Sequence, residues 1–126
     1  MESKGVSERM TNPEQRWRPI SLLPAFRFAV GRAAKTAAEQ AGNMRLAIAQ
    51  PDAVDRFELA RMQLVYQDTA LNVAMCREQL QRWREEDVAS DQQVALDLLD
   101  EIVQQWADDT QTVLDAIKTL MHPSRG

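Results

Sequence analysis

The side chains in this sequence best suited to chemistry are carboxylates. Asp97, Asp100 and Glu101 stand at i, i+3 and i+4 in the run Asp97-Leu98-Leu99-Asp100-Glu101, and Glu85, Glu86 and Asp87 come shortly before them. On a helix this spacing gathers side chains on one face. Oxygen ligands clustered on facing helices are what Mg²⁺ requires for work on phosphate esters or pyrophosphates. A second acidic pattern recurs every seven residues at Glu101, Asp108 and Asp115, with Asp97 beside it. That stripe offers Asp97, Glu101, Asp108 and Asp115 to a basic partner, or mimics nucleic-acid phosphate. It repels DNA itself, so direct nucleic-acid binding is not expected. The plainer reading of the same stripe is a solvated outer face.

The carboxylate cluster is similar to the all-α nucleotide pyrophosphohydrolases, which use Glu/Asp clusters on paired helices. The resemblance covers this cluster alone, and the paired Glu motif of that family is not reproduced. What it implies is an Mg²⁺-dependent hydrolase using Asp97, Asp100 and Glu101. Other chemistry lacks its residues. His122 is the only histidine and precedes a proline, and Cys76 is the only cysteine. Structural zinc and Cys–His nucleophilic catalysis therefore have no ligand or nucleophile set. No Glu-x-x-His pair marks a di-iron bundle, and no glycine-rich phosphate loop is present. No cofactor is expected, and the chain is read as not an enzyme.

The elements that carry these residues follow from the breakers and the apolar period. With 126 residues there is room for one modest core, and only 4 glycines and 5 prolines interrupt the chain. Sandwiches and barrels need turn signals every ~8–12 residues, so an all-α fold remains. Three long antiparallel helices are predicted, over about 24–49, 53–84 and 91–121. Ser21 is a candidate cap for the first, Asp52 for the second, and Ser90 with Gln93 reads as a capping box for the third. Gly42-Asn43 is a point where the first helix would bend or end early. Residues 1–16 read as a disordered polar tail, 17–122 as one domain, and 123–126 as a frayed end.

The second and third helices carry matching apolar seams. One runs Leu59, Met62, Tyr66, Thr69, Val73, Cys76, Leu80, Trp83; the other runs Leu96, Leu99, Val103, Trp106, Thr110, Val113, Ile117, Leu120. Such alternating three- and four-residue steps predict a coiled-coil-like hairpin. Folded antiparallel, with facing residue numbers adding to 179, the hairpin pairs Trp83 with Leu96 and Leu59 with Leu120. It also places Thr69 opposite Thr110, where the hydroxyls would bond each other or a backbone carbonyl.

The second helix has a further apolar stripe: Phe57, Ala60, Leu64, Leu71 and Ala74, flanked by Val54, Val65 and Met75. It lies ~160° from the seam at ~100° per residue. The first helix is expected to cover part of it and a second copy of the chain the rest. Phe57, Leu64, Leu71 and Met75 are thus the candidate interface of a homodimer or a protein partner.

Charge is unevenly spread. The first helix is basic (Arg27, Arg32, Lys35, Arg45) and the third acidic within a net charge of −4, which predicts offsetting charges on neighbours. Gln63, Gln67, Gln79, Gln81, Gln104, Gln105 and Gln111 read as solvated exterior. Gln-Arg-Trp-Arg occurs at 15–18 and again at 81–84 without matching flanks. In the first copy Trp17 anchors the chain onto its own bundle or stacks on a partner. A lone cysteine and the absence of an apolar run of ~18 residues predict a cytoplasmic protein without a transmembrane segment. The function expected is that of a small non-catalytic interaction or regulatory module. The hydrolase is the alternative, and an acidic inhibitor of a nucleic-acid-binding protein is the third.

Overall fold

Leu23–Ala49 form helix α1, Arg56–Arg84 form α2 and Ser90–Met121 form α3 in a computed structural model that describes residues 17–122. The expectations for 1–16 and 123–126 fall outside the described residues. The three helices pack into an all-α bundle with no strands among the described residues, as the sequence predicts. Single 3-10 turns at Ile20–Leu22 and Pro51–Ala53 precede α1 and α2. Among the described residues, no helix is long and apolar enough to cross a membrane.

Local chemistry accounts for the ends. Pro24 sits in the first turn of α1, where an amide N–H is not needed, and Ser21 lies in the preceding turn without capping the helix. α1 runs unbroken through Gly42-Asn43 and stops at Gln50, before Pro51. α2 starts later than predicted. Val54 is extended and packs against the core, so the cap passes from Asp52 to Asp55, whose carboxylate accepts the Phe57 N–H at 3.0 Å. The predicted Ser90–Gln93 box also moves by one residue. Ala89 occupies the cap position and its N–H donates to the Gln92 side-chain oxygen at 3.1 Å.

The antiparallel register of α2 and α3 can be read from three cross-helix bonds. Arg84 reaches Asp97 at 2.9 Å, Arg77 reaches Gln104 at 3.0 Å, and Arg56 reaches the Met121 carbonyl at 2.9 Å. Their residue numbers add to between 177 and 181, around the predicted 179. All eight α3 seam residues are buried. On α2 only Leu59, Tyr66, Val73, Leu80 and Trp83 are, while Met62, Thr69 and Cys76 are half-buried.

α3 has neighbours on two sides because α1 also lies along it, presenting Ala34, Ala37 and Ala41 as a row of small buried side chains. Short side chains let two backbones approach closely. α1 meets α2 through longer groups instead: Phe26 stands edge-on to Trp83 at 5.2 Å between ring centres, and Gln40 reaches the Met62 sulfur at 3.5 Å.

The predicted hydroxyl pair is not made. Thr69 donates to the Val65 carbonyl of its own helix at 3.0 Å, and the buried Thr110 hydroxyl has no partner among the described residues. A threonine in a helix reaches the carbonyl four residues back without any help from a neighbouring helix, so the local bond wins.

Candidate functional site

Three surfaces among the described residues bear on function. The first is the outer face of α2. Phe57 is 81% exposed, Leu64 69%, Leu71 65% and Met75 42%, with Val65 also open. α1 does not take up the share of this stripe assigned to it. Its apolar face is spent on α3, leaving only long side chains at the α1–α2 boundary. Phe57, Leu64 and Leu71 repeat every seven residues, so they form a nearly straight ridge along the helix. Soluble proteins usually expose large apolar residues singly, so a row of them on one helix face is a candidate interaction surface.

The second is the acidic face of α3. Asp97, Glu101, Asp108 and Asp115 are all exposed. Asp108 accepts from Gln104 at 3.0 Å and Asp115 from Gln111 at 2.8 Å, both within α3. Asp97 and Asp100 turn to Arg84, at 2.9 and 3.9 Å. Arg84 thus holds two of the three carboxylates that the hydrolase reading assigns to Mg²⁺. Among the described residues no three Asp, Glu, His or Cys side chains converge as a metal site requires. Nor do ion pairs among the described residues join the basic side of α1 to α3. They lie within α2 (Arg61–Glu58, Arg82–Glu78) or between α2 and α3, so the expected offset of α1 against α3 involves no direct pairs. Arg27, Arg32, Lys35 and Arg45 are exposed.

The third surface is a groove of about 390 Å³ between α1 and α2, with Trp106 of α3 also lining it. Its walls are Phe26, Ala29, Val30 and Ala33 on one side and Asn72, Met75, Cys76 and Gln79 on the other, with Trp17 and Arg18 at one end. Sequence reading missed this place, because it placed Gln79 among the solvated glutamines. Gln79 is only 3% exposed. Its amide accepts the Arg18 N–H at 2.7 Å and donates to the Arg18 carbonyl at 3.4 Å, while the Trp83 indole donates to that same carbonyl at 2.9 Å.

The Arg82 guanidinium lies 4.3 Å from the Trp17 ring centre, so the two Gln-Arg-Trp-Arg copies meet through their Trp and Arg residues. The signal available beforehand was that repeated tetrapeptide, together with a backbone segment before Pro19 whose polar groups need partners. Trp106 is 5% exposed and its indole N–H has no hydrogen-bond partner among the described residues.

With this geometry established, comparison with known proteins adds nothing to it: no family model, curated protein or solved structure matches the chain.

Burial pushes the Cys76 thiol up from its ordinary 9.0 to about 11, because the groove wall disfavours the thiolate. Near pH 8 its thiolate fraction is then roughly a hundredth of that in the unfolded chain. A thiol reagent is expected to label Cys76 about that much more slowly in native protein than in urea. Equal rates would mean an accessible, unperturbed thiol. The sign for stability follows: the protonated form is favoured in the folded state, so its contribution is complete below 9.0 and is lost as pH rises towards 11.

Proposed function

We propose that this protein is a non-catalytic helical interaction module that pairs with a second copy of itself through the outer face of α2. The observation that carries the reading is the ridge of Phe57, Leu64 and Leu71, each more than half exposed on an otherwise well-packed helix. Two such ridges laid antiparallel suit a two-fold dimer, in which the same patch faces itself. In that arrangement Phe57 and the Ala74–Met75 end of the second copy share a level. Arg61 approaches Asp68 of the second copy, which brings opposite charges to the flank.

From Phe57 to Met75 the ridge spans ~27 Å at ~1.5 Å per residue. A helix pair of that length belongs with small interfaces, of the order of 1,200 Å² or less in total, so micromolar association is expected. Arg84 on Asp97 and Asp100 argues against the hydrolase alternative, since a cation there would have to displace a guanidinium.

Sedimentation or light scattering at micromolar concentration tests the proposal. The native chain is expected at twice 14.3 kDa, and the double variant Leu64→Glu/Leu71→Glu at a single mass with unchanged helicity, because neither side chain supports the core. A native protein that stays at the single mass overturns the dimer, as does a double variant that still pairs.

A further inference from the structure

We infer that the groove between α1 and α2 receives the Phe57 ring of a second copy of this chain, so that each copy closes the groove of the other. This rests on the antiparallel pairing of α2 ridges proposed above and adds to it a site that neither copy completes alone.

The two surfaces are continuous. Met75 stands at one end of the ridge and also on the α2 wall of the groove, so a copy lying along the ridge borders the groove. The antiparallel pairing sets Phe57 of that copy level with Ala74 and Met75. The α2 wall of the groove, from Asn72 to Gln79, is centred on the same level. Position round the helix agrees. Counted from Leu71 at ~100° per residue, Phe57 and Met75 both stand ~40° towards α1, with Gln79 and Asn72 at ~80–100°. A two-fold axis perpendicular to both helices reverses chain direction but keeps that flank on the same side, so the ring of the second copy points over Met75 into the groove. Its own Phe57 cannot fill the groove, because Met75 lies ~27 Å further along the same helix at ~1.5 Å per residue.

Size and chemistry fit the ring. Phe57, at 81%, is the most exposed large apolar residue among the described residues. The groove is about 390 Å³, with Phe26, Met75 and Cys76 to meet a ring and the small Ala29 and Ala33 leaving room for it. Aromatic edges and sulfur side chains are favourable neighbours of an aromatic ring. Area points the same way. A ridge-only contact of ~1,200 Å² or less lies at the lower edge of stable interfaces, which bury ~1,200–2,000 Å² in total. Two-fold symmetry seats two rings in two grooves, and the walls they cover are apolar surface beyond the ridge.

Cys76, the only cysteine and a groove residue, makes a direct test. Phe57→Cys treated with diamide, which takes up the two thiol hydrogens, is expected to run as a covalent pair at twice 14.3 kDa on a non-reducing gel. Phe57→Cys/Cys76→Ser should stay at the single mass, because antiparallel pairing keeps the two 57 positions apart. In the native chain, an isotope-filtered spectrum of mixed labelled and unlabelled protein should show contacts from the Phe57 ring of one copy to the Ala29 and Ala33 methyls of the other. Ala29→Phe fills the groove from an exposed position. It should loosen association by about ten-fold or more, and Phe57→Ala should then cost less than it does in the native chain.

The two readings fail differently. A native chain at the single mass at micromolar concentration ends the ridge pairing and this inference with it. A native dimer in which Phe57 contacts neither alanine and Phe57→Cys does not link to Cys76 keeps the ridge and overturns the groove. A covalent pair that survives Cys76→Ser would join 57 to 57, which means parallel helices and also overturns it. So do contacts from residues 1–16 to Ala29 and Ala33, which would assign the groove to the chain's own first residues.

Discussion

Replacing Trp83 with alanine is expected to remove about 3–5 kcal/mol of folding stability, the range for truncating a large buried aromatic. Trp83 is fully buried and joins all parts of the fold at the hairpin end. It closes the α2 seam against α3, stands edge-on to Phe26 of α1, and binds the Arg18 carbonyl through its indole N–H. The deletion leaves a cavity and also orphans part of the segment that lines the groove. Since domains of this size are stable by only about 5–15 kcal/mol, Trp83→Ala should be marginal. Trp83→Phe separates the effects: it retains a ring against Phe26 and loses chiefly the bond to Arg18, for about 0.5–1.5 kcal/mol. Urea unfolding followed by circular dichroism measures both. A Trp83→Ala loss no larger than that of Trp83→Phe would show that the ring is not the keystone of this end.

Neighbouring positions 41 and 42 should respond in opposite directions. Ala41 is wholly buried in the small-residue row of α1 that lies along α3. Leucine there must push the two helices apart or take a strained rotamer, at a cost of about 1–3 kcal/mol or more. Gly42 follows directly in sequence, yet a Cβ at that position meets nothing within 4 Å, and the same holds at Gly31. In a helix interior, alanine is favoured over glycine by about 0.5–1 kcal/mol, because the unfolded glycine chain has more freedom to lose. Gly42→Ala is therefore expected to raise the urea midpoint and Ala41→Leu to lower it. A stabilised Ala41→Leu would mean that α1 and α3 are not in close approach.

Much of the architecture was legible before the fold. The alternating seams of α2 and α3 set both pairing and register, because a helix has one period and an antiparallel pair has one arithmetic. Arg84 on Asp97 and Arg77 on Gln104 fall where that arithmetic puts them. The cap of α2 was harder, since Asp52 and Asp55 are equally suited and the choice rests on Val54 packing inward. The Phe57–Leu64–Leu71 ridge was visible as a repeat, but its exposure was not. That depended on how α1 distributed its single apolar face between two neighbours, and the alanines took it to α3.

What the sequence by itself determined, then, is helix number, length and order, the register of the hairpin, and the absence of histidine and cysteine ligand sets. All are properties of one helix, or of two joined by a short turn, so local periodicity carries them. Tertiary structure alone decided that Arg84 would hold Asp97 and Asp100, that Gln79 would be buried under Arg18, and that the buried Trp106 N–H would find no partner among the described residues. Each depends on where the chain before α1 and the three helices meet in space. A side chain's partner across such a junction is set by the geometry of all the elements together, and no spacing along one of them encodes it.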